Sequence, residues 1–376
     1  MSRPSVRHAA ASTKCSVLDD MTNNHKYLVA MSGGVDSSVA AAMLSEQGAE
    51  CIGVMLKLHE KFTEDDASCG TNADERDARA VSERLGIEFQ TYNSEDKFEK
   101  EVIRRFVDSY QRGITPNPCV ECNRYMKFGA LFEYADELGC DKIVTGHYAR
   151  IEYSEKYGRK VLKKAVDESK DQSYVLYSLS AEQLEKICLP LGEFTKAEIR
   201  EKAAAIGLSV SNKKESQDIC FVPDGNYIGF IERYTKKAFE EGNFVDADGN
   251  ILGRHKGIIR YTIGQHKKLG IVTPEPMYVD KIIPERNEIL LVCDDALYKT
   301  EVKVAEVCWS AFDLPPEKFT AEAKLRYRHK AAPCEVQVNS DGTLILRFDE
   351  PQRAPAKGQS AVIYDGDILL GGGVIV

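Results

Sequence analysis

Seven consecutive residues, Ser32-Gly33-Gly34-Val35-Asp36-Ser37-Ser38, restrict the folds open to this chain more than any other stretch. The apolar run Tyr27-Leu28-Val29-Ala30-Met31 before them reads as a buried strand. Val39-Ala40-Ala41-Ala42-Met43-Leu44 after them reads as a helix, stopped by Gly48. A Gly-Gly pair at a strand-to-helix turn lets the backbone approach an anion closely. The unpaired N–H groups and dipole of the helix start favour phosphate at that point. Ser32, Ser37 and Ser38 add hydroxyl donors, and Asp36 is a candidate holder of magnesium between phosphates. No Gly-Lys-Ser/Thr follows the glycines, so this is not a Walker A loop.

The same element pattern continues. Ala49–Leu56 reads as a second strand, residues 59–72 as a polar loop, and Asn72 with Glu75 as a capping box for a helix running to Leu85. Ile87–Tyr92 is a third strand, Phe98–Tyr110 and Met126–Leu138 are helices, and Ile143-Val144-Thr145 is a short buried strand leading into Gly146. Strands alternating with helices predict an α/β fold with a doubly wound parallel sheet, whose ligands lie at the carboxyl ends of the strands. Ala30 through Ser37, Met55 and Gly146 all follow or end such strands, and all are expected to face one nucleotide. The loop resembles the pyrophosphate loop of the N-type ATP pyrophosphatases, which cleave ATP between the α and β phosphates. A plain Gly/Ser helix cap is the bland alternative, and a match at every motif position after a strand favours the nucleotide.

From about residue 224 the alternation stops. Short β-like runs appear at Gly257–Thr262, Met277–Ile282, Glu288–Val292, Val302–Val307, Glu335–Val338, Thr343–Phe348 and Ser360–Tyr364, with turn signals at Asp248-Gly249 and Asp341-Gly342. The expected division is a loose tail at 1–24, a nucleotide domain at 25–223, a small mixed domain at 224–284 and a β-barrel at 285–376. The tail, rich in Ser and Ala with Arg3, Arg7 and Lys14 ahead of any acid, faintly resembles a transit peptide, but a disordered tail is the expectation. No apolar run approaches the ~18 residues of a membrane helix. The net charge of −9 excludes a global field attracting nucleic acid, so RNA binding needs local basic patches. Eleven cysteines, odd in number and irregularly spaced, suggest no disulfide framework and fit a reducing cytoplasm with one or two working thiols.

Two thiol segments stand out. In Thr115-Pro116-Asn117-Pro118-Cys119-Val120-Glu121-Cys122-Asn123 two prolines stiffen a loop that delivers its thiols just ahead of a helix, where a thiolate is favoured. Lys214–Phe221 places Cys220 in a polar segment. Cys-x-x-Cys alone is weak evidence: no second pair completes a zinc site, and the context of a thioredoxin-type redox pair is missing. Cys51, Cys140 and Cys188 sit in apolar surroundings and read as core.

Together, the pyrophosphate loop, Pro-Asn-Pro-x-x-x-Cys-Asn and the downstream Ile219-Cys220-Phe221 resemble the bacterial tRNA-specific 2-thiouridylase family, from about residue 26 onward. Thr145–Ala149, Lys170–Tyr174, Gly257–Gly270, Arg326-Tyr327-Arg328 and Ala356–Gln359 extend the match. The resemblance implies that ATP adenylates O2 of the wobble uridine of tRNA and that sulfur replaces it. Cys220 then carries a persulfide delivered by a cysteine desulfurase or sulfur-relay protein. Cys122 is the nucleophile that frees the sulfur, leaving a Cys122–Cys220 disulfide. Such a bridge needs Cα atoms within about 7 Å, so a mobile Cys220 segment is expected. Contacts to the base or the tRNA are implied for Asn117, Pro118, Cys119, His147, Lys170, Asp171, Gln172, Arg326, Tyr327 and Gln359. Many relatives carry Asp where Cys119 stands, and this substitution opens a second route in which Cys119, Cys122 and Cys220 ligate an iron–sulfur cluster that binds sulfide. Arg254–Lys268 and Lys324–Lys330 are the basic patches suited to RNA. Two further alternatives stay open: another adenylating synthetase, which needs neither Cys122 nor Cys220, and a non-catalytic tRNA-binding protein.

Overall fold

The structure, a computed structural model, describes residues 25–58, 72–208 and 219–376. The expected tail 1–24, the polar loop 59–71 and the stretch 209–218 leading toward Cys220 lie outside the described residues.

Strand β1 (Lys26–Ala30) enters the anion loop, and helix α1 (Val35–Ser45) leaves it. β2 (Glu50–Lys57) and β3 (Glu88–Asn93) lie on one side of β1. β4 (Lys142–Val144) and, further out, a short strand Ile187–Cys188 lie on the other. Every pairing in this five-stranded sheet is parallel. The chain therefore turns from one side of β1 to the other, and the crevice between the ends of β1 and β4 is a topological switch point. α1 is buried along nearly its whole length, and its Ala-rich face lets it sit close to the sheet. Gly48, at φ +73°, takes the left-handed conformation that ends the turn after α1.

The helix expected at Phe98–Tyr110 is a continuous run through Glu95–Phe98, a π-helical Glu99–Ile103 and Arg104–Gln111. The helix expected at Met126 starts earlier. It begins at Pro118–Glu121, widens into a π-helical stretch at Cys122–Ala130 and continues as Leu131–Glu137. Pro118 suits the first helical position because its missing N–H has no partner there in any case.

Two strands not expected from the sequence, β5 (Arg150–Ser154) and β6 (Arg159–Lys163), form a hairpin. After it, a four-stranded sheet is built from Gly242–Val245, Ile251–His255, Tyr278–Ile283 and Glu288–Val292. The expected strand at Gly257–Thr262 is instead a 3₁₀ turn, Ile258–Arg260. Gly257 at φ +100° breaks the extended path, and Ile258 and Ile259 are both buried, which strand alternation forbids on a one-sided sheet. The last six strands, Tyr298–Trp309, Lys318–Lys324, Ala332–Val338, Leu344–Arg353, Ser360–Asp365 and Ile368–Ile375, form an antiparallel barrel closed by pairing of the first with the last. The β5–β6 hairpin extends the barrel sheet through the last strand, Leu369 pairing with Leu162. No helix among the described residues is long and apolar enough to cross a membrane.

Candidate active site

The anion loop is held from several sides. Gly33 sits at φ +69°, and a Cβ there would stand 2.4 Å from the carbonyl oxygen of Asp74. Gly146, at the end of β4, abuts the start of α1: a Cβ would lie 2.8 Å from Asp36 C and Ser37 N. Glycine at both positions is therefore a packing requirement. Ser37 Oγ accepts from Ser32 N (3.1 Å) and donates to Gly34 O (3.2 Å). Gly34 occupies the N-cap position and no side chain caps the helix. The first-turn N–H groups of an eleven-residue helix thus point at the crevice without side-chain competition, which suits phosphate. Met31 and Met55 are buried in the core of this domain, so their side chains are not free to meet a nucleotide, which would find only backbone there.

Asp36 has partners that sequence reasoning missed. Lys196 Nζ lies 2.7 and 2.8 Å from the two carboxylate oxygens, and Tyr148 Oη donates to Oδ1 at 2.8 Å. Lys196 is the first residue of the helix Lys196–Ala205, whose start is fixed by a reciprocal capping box between Thr195 and Glu198. That box is visible in the sequence as Thr-x-x-Glu, but no local pattern ties Lys196 to an acid 160 residues away. With an ammonium on both oxygens, Asp36 does not fit the role of a preformed magnesium ligand. Among the described residues no three of His, Cys, Asp and Glu are gathered to hold a metal. Cys119, Cys122 and Cys220 therefore do not form a ready cluster site either.

Cys122 and Cys220 belong to one apolar cluster. Cys122 is buried in it with Phe98, Phe106 and Met126, and Cys220 packs against its edge. Phe221 brings Cys220 there: its ring makes edge contacts with Phe98 and Phe106, centroids 5.8 and 5.2 Å away, and lies 5.2 Å from Phe230. Cys119 is exposed, yet the protein mass around it raises its thiol pKa, with Lys127 acting the other way. Cys119 is thus a neutral thiol at pH 7 in this arrangement and does not replace a carboxylate base. Cys51 and Cys140 are buried, and burial is the main cause raising their thiols, to about 11 for Cys51, as core residues require. Cys188 is half-buried and packs on the same core.

Two chains of contact lead toward the anion loop, one from the thiol helix and one from the barrel. Lys127, on the π-helical stretch after Cys122, donates to His147 Nε2 at 3.4 Å. An ammonium only donates, so the proton of His147 sits on Nδ1 and faces Thr145 Oγ1 at 2.7 Å. Burial holds this imidazole neutral, its pKa well below the usual value, with Lys127 adding to the effect. His147 follows Gly146, which touches Asp36. By the second chain, which starts from the barrel, Tyr327 donates to Asp171 O at 3.0 Å. Gln172 exchanges hydrogen bonds with Tyr148 N and O, and Tyr148 reaches Asp36.

Most side chains that the resemblance assigns to tRNA are used internally here. The Asp171 carboxylate accepts from Ala165 N, Ser173 N and Ser173 Oγ. Arg326 donates to Ile263 O and Ala354 O, and Gln359 donates to Thr115 O and Pro116 O. Asn117 is the N-cap of the thiol helix, through its backbone alone. Lys170 is half-buried. In the two basic patches Arg254, Lys256, Lys267, Lys268, Arg328 and Lys330 are exposed, whereas Arg260 is paired with Glu232.

A parallel sheet with an anion loop at its switch point defines an α/β domain of the HUP class, and residues 25–224 match the family model described as a tRNA methyl transferase HUP domain. Residues 228–294 match a tRNA methyl transferase PRC-barrel domain and 299–375 an aminomethyltransferase beta-barrel domain. The chain belongs to the tRNA-specific 2-thiouridylase family. It is 46% identical to the tRNA-specific 2-thiouridylase MnmA of Clostridioides difficile, over 94% of this chain and 99% of that one. It is 45% identical to the protein of the same name from Clostridium acetobutylicum, again over 94% and 99%. Solved structures are similar only remotely. A 4-thiouridine synthetase–RNA complex with bound ATP is 20% identical at TM-score 0.37, over 56% of this chain and 50% of that one. The U34-tRNA thiolase NcsA from Methanococcus maripaludis is 18% identical at TM-score 0.35, over 59% and 74%. At that distance they bear on neither substrate nor mechanism.

Proposed function

We propose that this protein is a tRNA-uridine 2-sulfurtransferase, which uses ATP to replace O2 of the wobble uridine by sulfur. The observation that carries this reading is that two cysteines distant in sequence belong to one apolar cluster, and that Lys127, on the helix of Cys122, is hydrogen-bonded to His147 beside the Gly146 that abuts the anion loop. The C2 carbonyl of uracil is a poor electrophile with a poor leaving group. Transfer of AMP to its oxygen makes a good leaving group and releases pyrophosphate. The N-terminus of α1 and the Lys196 ammonium suit the negative charge that develops there. The uridine leaves the anticodon stack to reach this crevice. Exposed Tyr327, with Lys324 5.5 Å from its ring, is suited to stack on a base.

Sulfur arrives as a persulfide on Cys220, from a cysteine desulfurase or relay protein. The Cys122 thiolate attacks Sγ of Cys220, the S–S bond of the persulfide breaks, and hydrosulfide leaves. Both cysteines end oxidised in a disulfide and the transferred sulfur is reduced. Hydrosulfide then attacks C2 and expels AMP, and an external dithiol restores the enzyme. The test is thiolation of unmodified tRNA with ATP, magnesium and a persulfide donor. Cys220→Ala is expected to abolish turnover, and full activity of that variant with the same donor would overturn the assignment of Cys220.

A further inference from the structure

The barrel grips the thiol segment at one place. The turn Ala356–Gln359, between the strands Leu344–Arg353 and Ser360–Asp365, lies on Ile114–Pro116, which leads directly into Asn117, Pro118 and Cys119. Thr115 N donates to Lys357 O at 3.1 Å. Gln359 Nε2 donates to Thr115 O at 3.0 Å and to Pro116 O at 3.2 Å. Gly358 is at φ +85°, and a Cβ there would stand 2.2 Å from Ile114 Cγ2 and 3.0 Å from Thr115 O, so only glycine permits the approach. Gln359 is itself anchored: its N–H donates to Ala356 O, and its carbonyl accepts from Ile375 N in the last barrel strand. Residues 114–117 belong to no helix or strand, so these bonds decide where the thiol helix begins.

The chemistry of the amide is decisive. A glutamine nitrogen carries two hydrogens, and two carbonyls of the thiol segment lie within hydrogen-bond distance of it, so its donors are engaged inside the protein. We propose that Gln359, with Gly358 beside it, is a positioning residue for Cys119 and Cys122 rather than a direct holder of RNA. The inference deepens the thiolation reading above and rests on it. Through this clasp the barrel sets the start of the helix Pro118–Glu121, and misplacing reacting groups by about 1 Å is enough to cost on the order of 10²-fold in rate.

The experiment compares wild type, Gln359→Met, which keeps the volume but donates nothing, and Gln359→Lys, which keeps a donor. Each full-length protein, checked for an unchanged melting temperature, is measured in three ways: tRNA affinity by filter binding, single-turnover thiolation at saturating tRNA, and iodoacetamide labelling of Cys119 read by mass spectrometry. In Gln359→Met the saturated rate is expected to fall about tenfold or more, with tRNA affinity within about twofold and Cys119 labelling changed several-fold. Gln359→Lys is expected to recover most of the rate. Weakened tRNA binding with a full rate at saturation would overturn the proposal, as would unchanged rate and labelling. If wild type itself does not thiolate tRNA, the functional reading fails, and the labelling arm still decides whether Gln359 positions Cys119.

Discussion

The anion loop and the thiol cluster are built on opposite plans. The loop is polar: Ser32 and Ser37 are hydrogen-bonded to each other at 3.1 Å within the strand–turn–helix, and Asp36 is held at 2.7–2.8 Å by Lys196 and Tyr148 from outside it. The thiol end is apolar, with Cys122 and Cys220 seated against aromatic rings and Cys220 entering from 209–218, outside the described residues. A phosphate must find donors already in place, because reorganising them at the moment of reaction costs rate. A sulfur relay must instead let one cysteine meet a partner protein and then its neighbour. Packing by shape tolerates that movement better than a fixed hydrogen-bond network does.

This contrast is open to attack by substitution, and the sulfur chemistry gives the largest effect. Cys122→Ser is expected to lower persulfide-driven thiolation by at least about 10³-fold while leaving tRNA-dependent pyrophosphate release within a few-fold, because only the second half-reaction needs the thiol. Loss of both would mean that the two ends are one unit. Lys196→Met should do the reverse. It strips the cation from a largely buried pair, and is expected to slow pyrophosphate release roughly 10²-fold and to destabilise the protein by about 3 kcal/mol in a urea melt. Gly146→Ala forces a methyl against Asp36 and Ser37. An about tenfold loss of ATP affinity is expected, against little change for Gly249→Ala, where a Cβ meets nothing within 4 Å and only the φ of +85° is strained.

The smallest effect concerns His147, on the path between the two ends. Its folded pKa is depressed by burial and by Lys127. Above pH 6.5 it contributes no pH dependence. As pH falls below that value the unfolded chain binds a proton that the folded chain refuses, so stability drops by up to about 1.4 kcal/mol per unit. His147→Gln is expected to lose about 1 kcal/mol less stability than wild type between pH 7.5 and 5.5 in urea melts, and an identical loss in both would show that His147 does not carry the term.

What could be seen in the sequence follows the same division. The Ser32–Ser38 loop, the parallel sheet and strands such as Glu288–Val292 are visible because their residues are neighbours along the chain. Lys196 was invisible as a partner of Asp36 because a lysine opening a helix normally faces water. The β5–β6 hairpin was hidden by its charges. Arg150, Glu152 and Lys163 make it look like a solvated loop, yet they pair across the strands and with Asp367 at 2.7–3.1 Å. Ile258 and Ile259 looked like strand because β-branched residues favour it, and tertiary burial overrode that preference. The motif residues Arg326, Tyr327 and Gln359 were legible as important, but not as internal ties, since a carbonyl partner leaves no mark in the sequence.

The β5–β6 hairpin also sets a timetable for synthesis. Its outer edge finds its mate, Ile368–Ile375, only after roughly 200 more residues have been added. At ribosomal speeds of about 5–20 residues per second that is a wait of some 10–40 s. Throughout it a strand edge stays open to pairing with other nascent chains. The cationic and acidic side chains along Arg150–Lys163 are the kind that discourage such pairing, so the charges that disguise the hairpin also guard it until the barrel arrives.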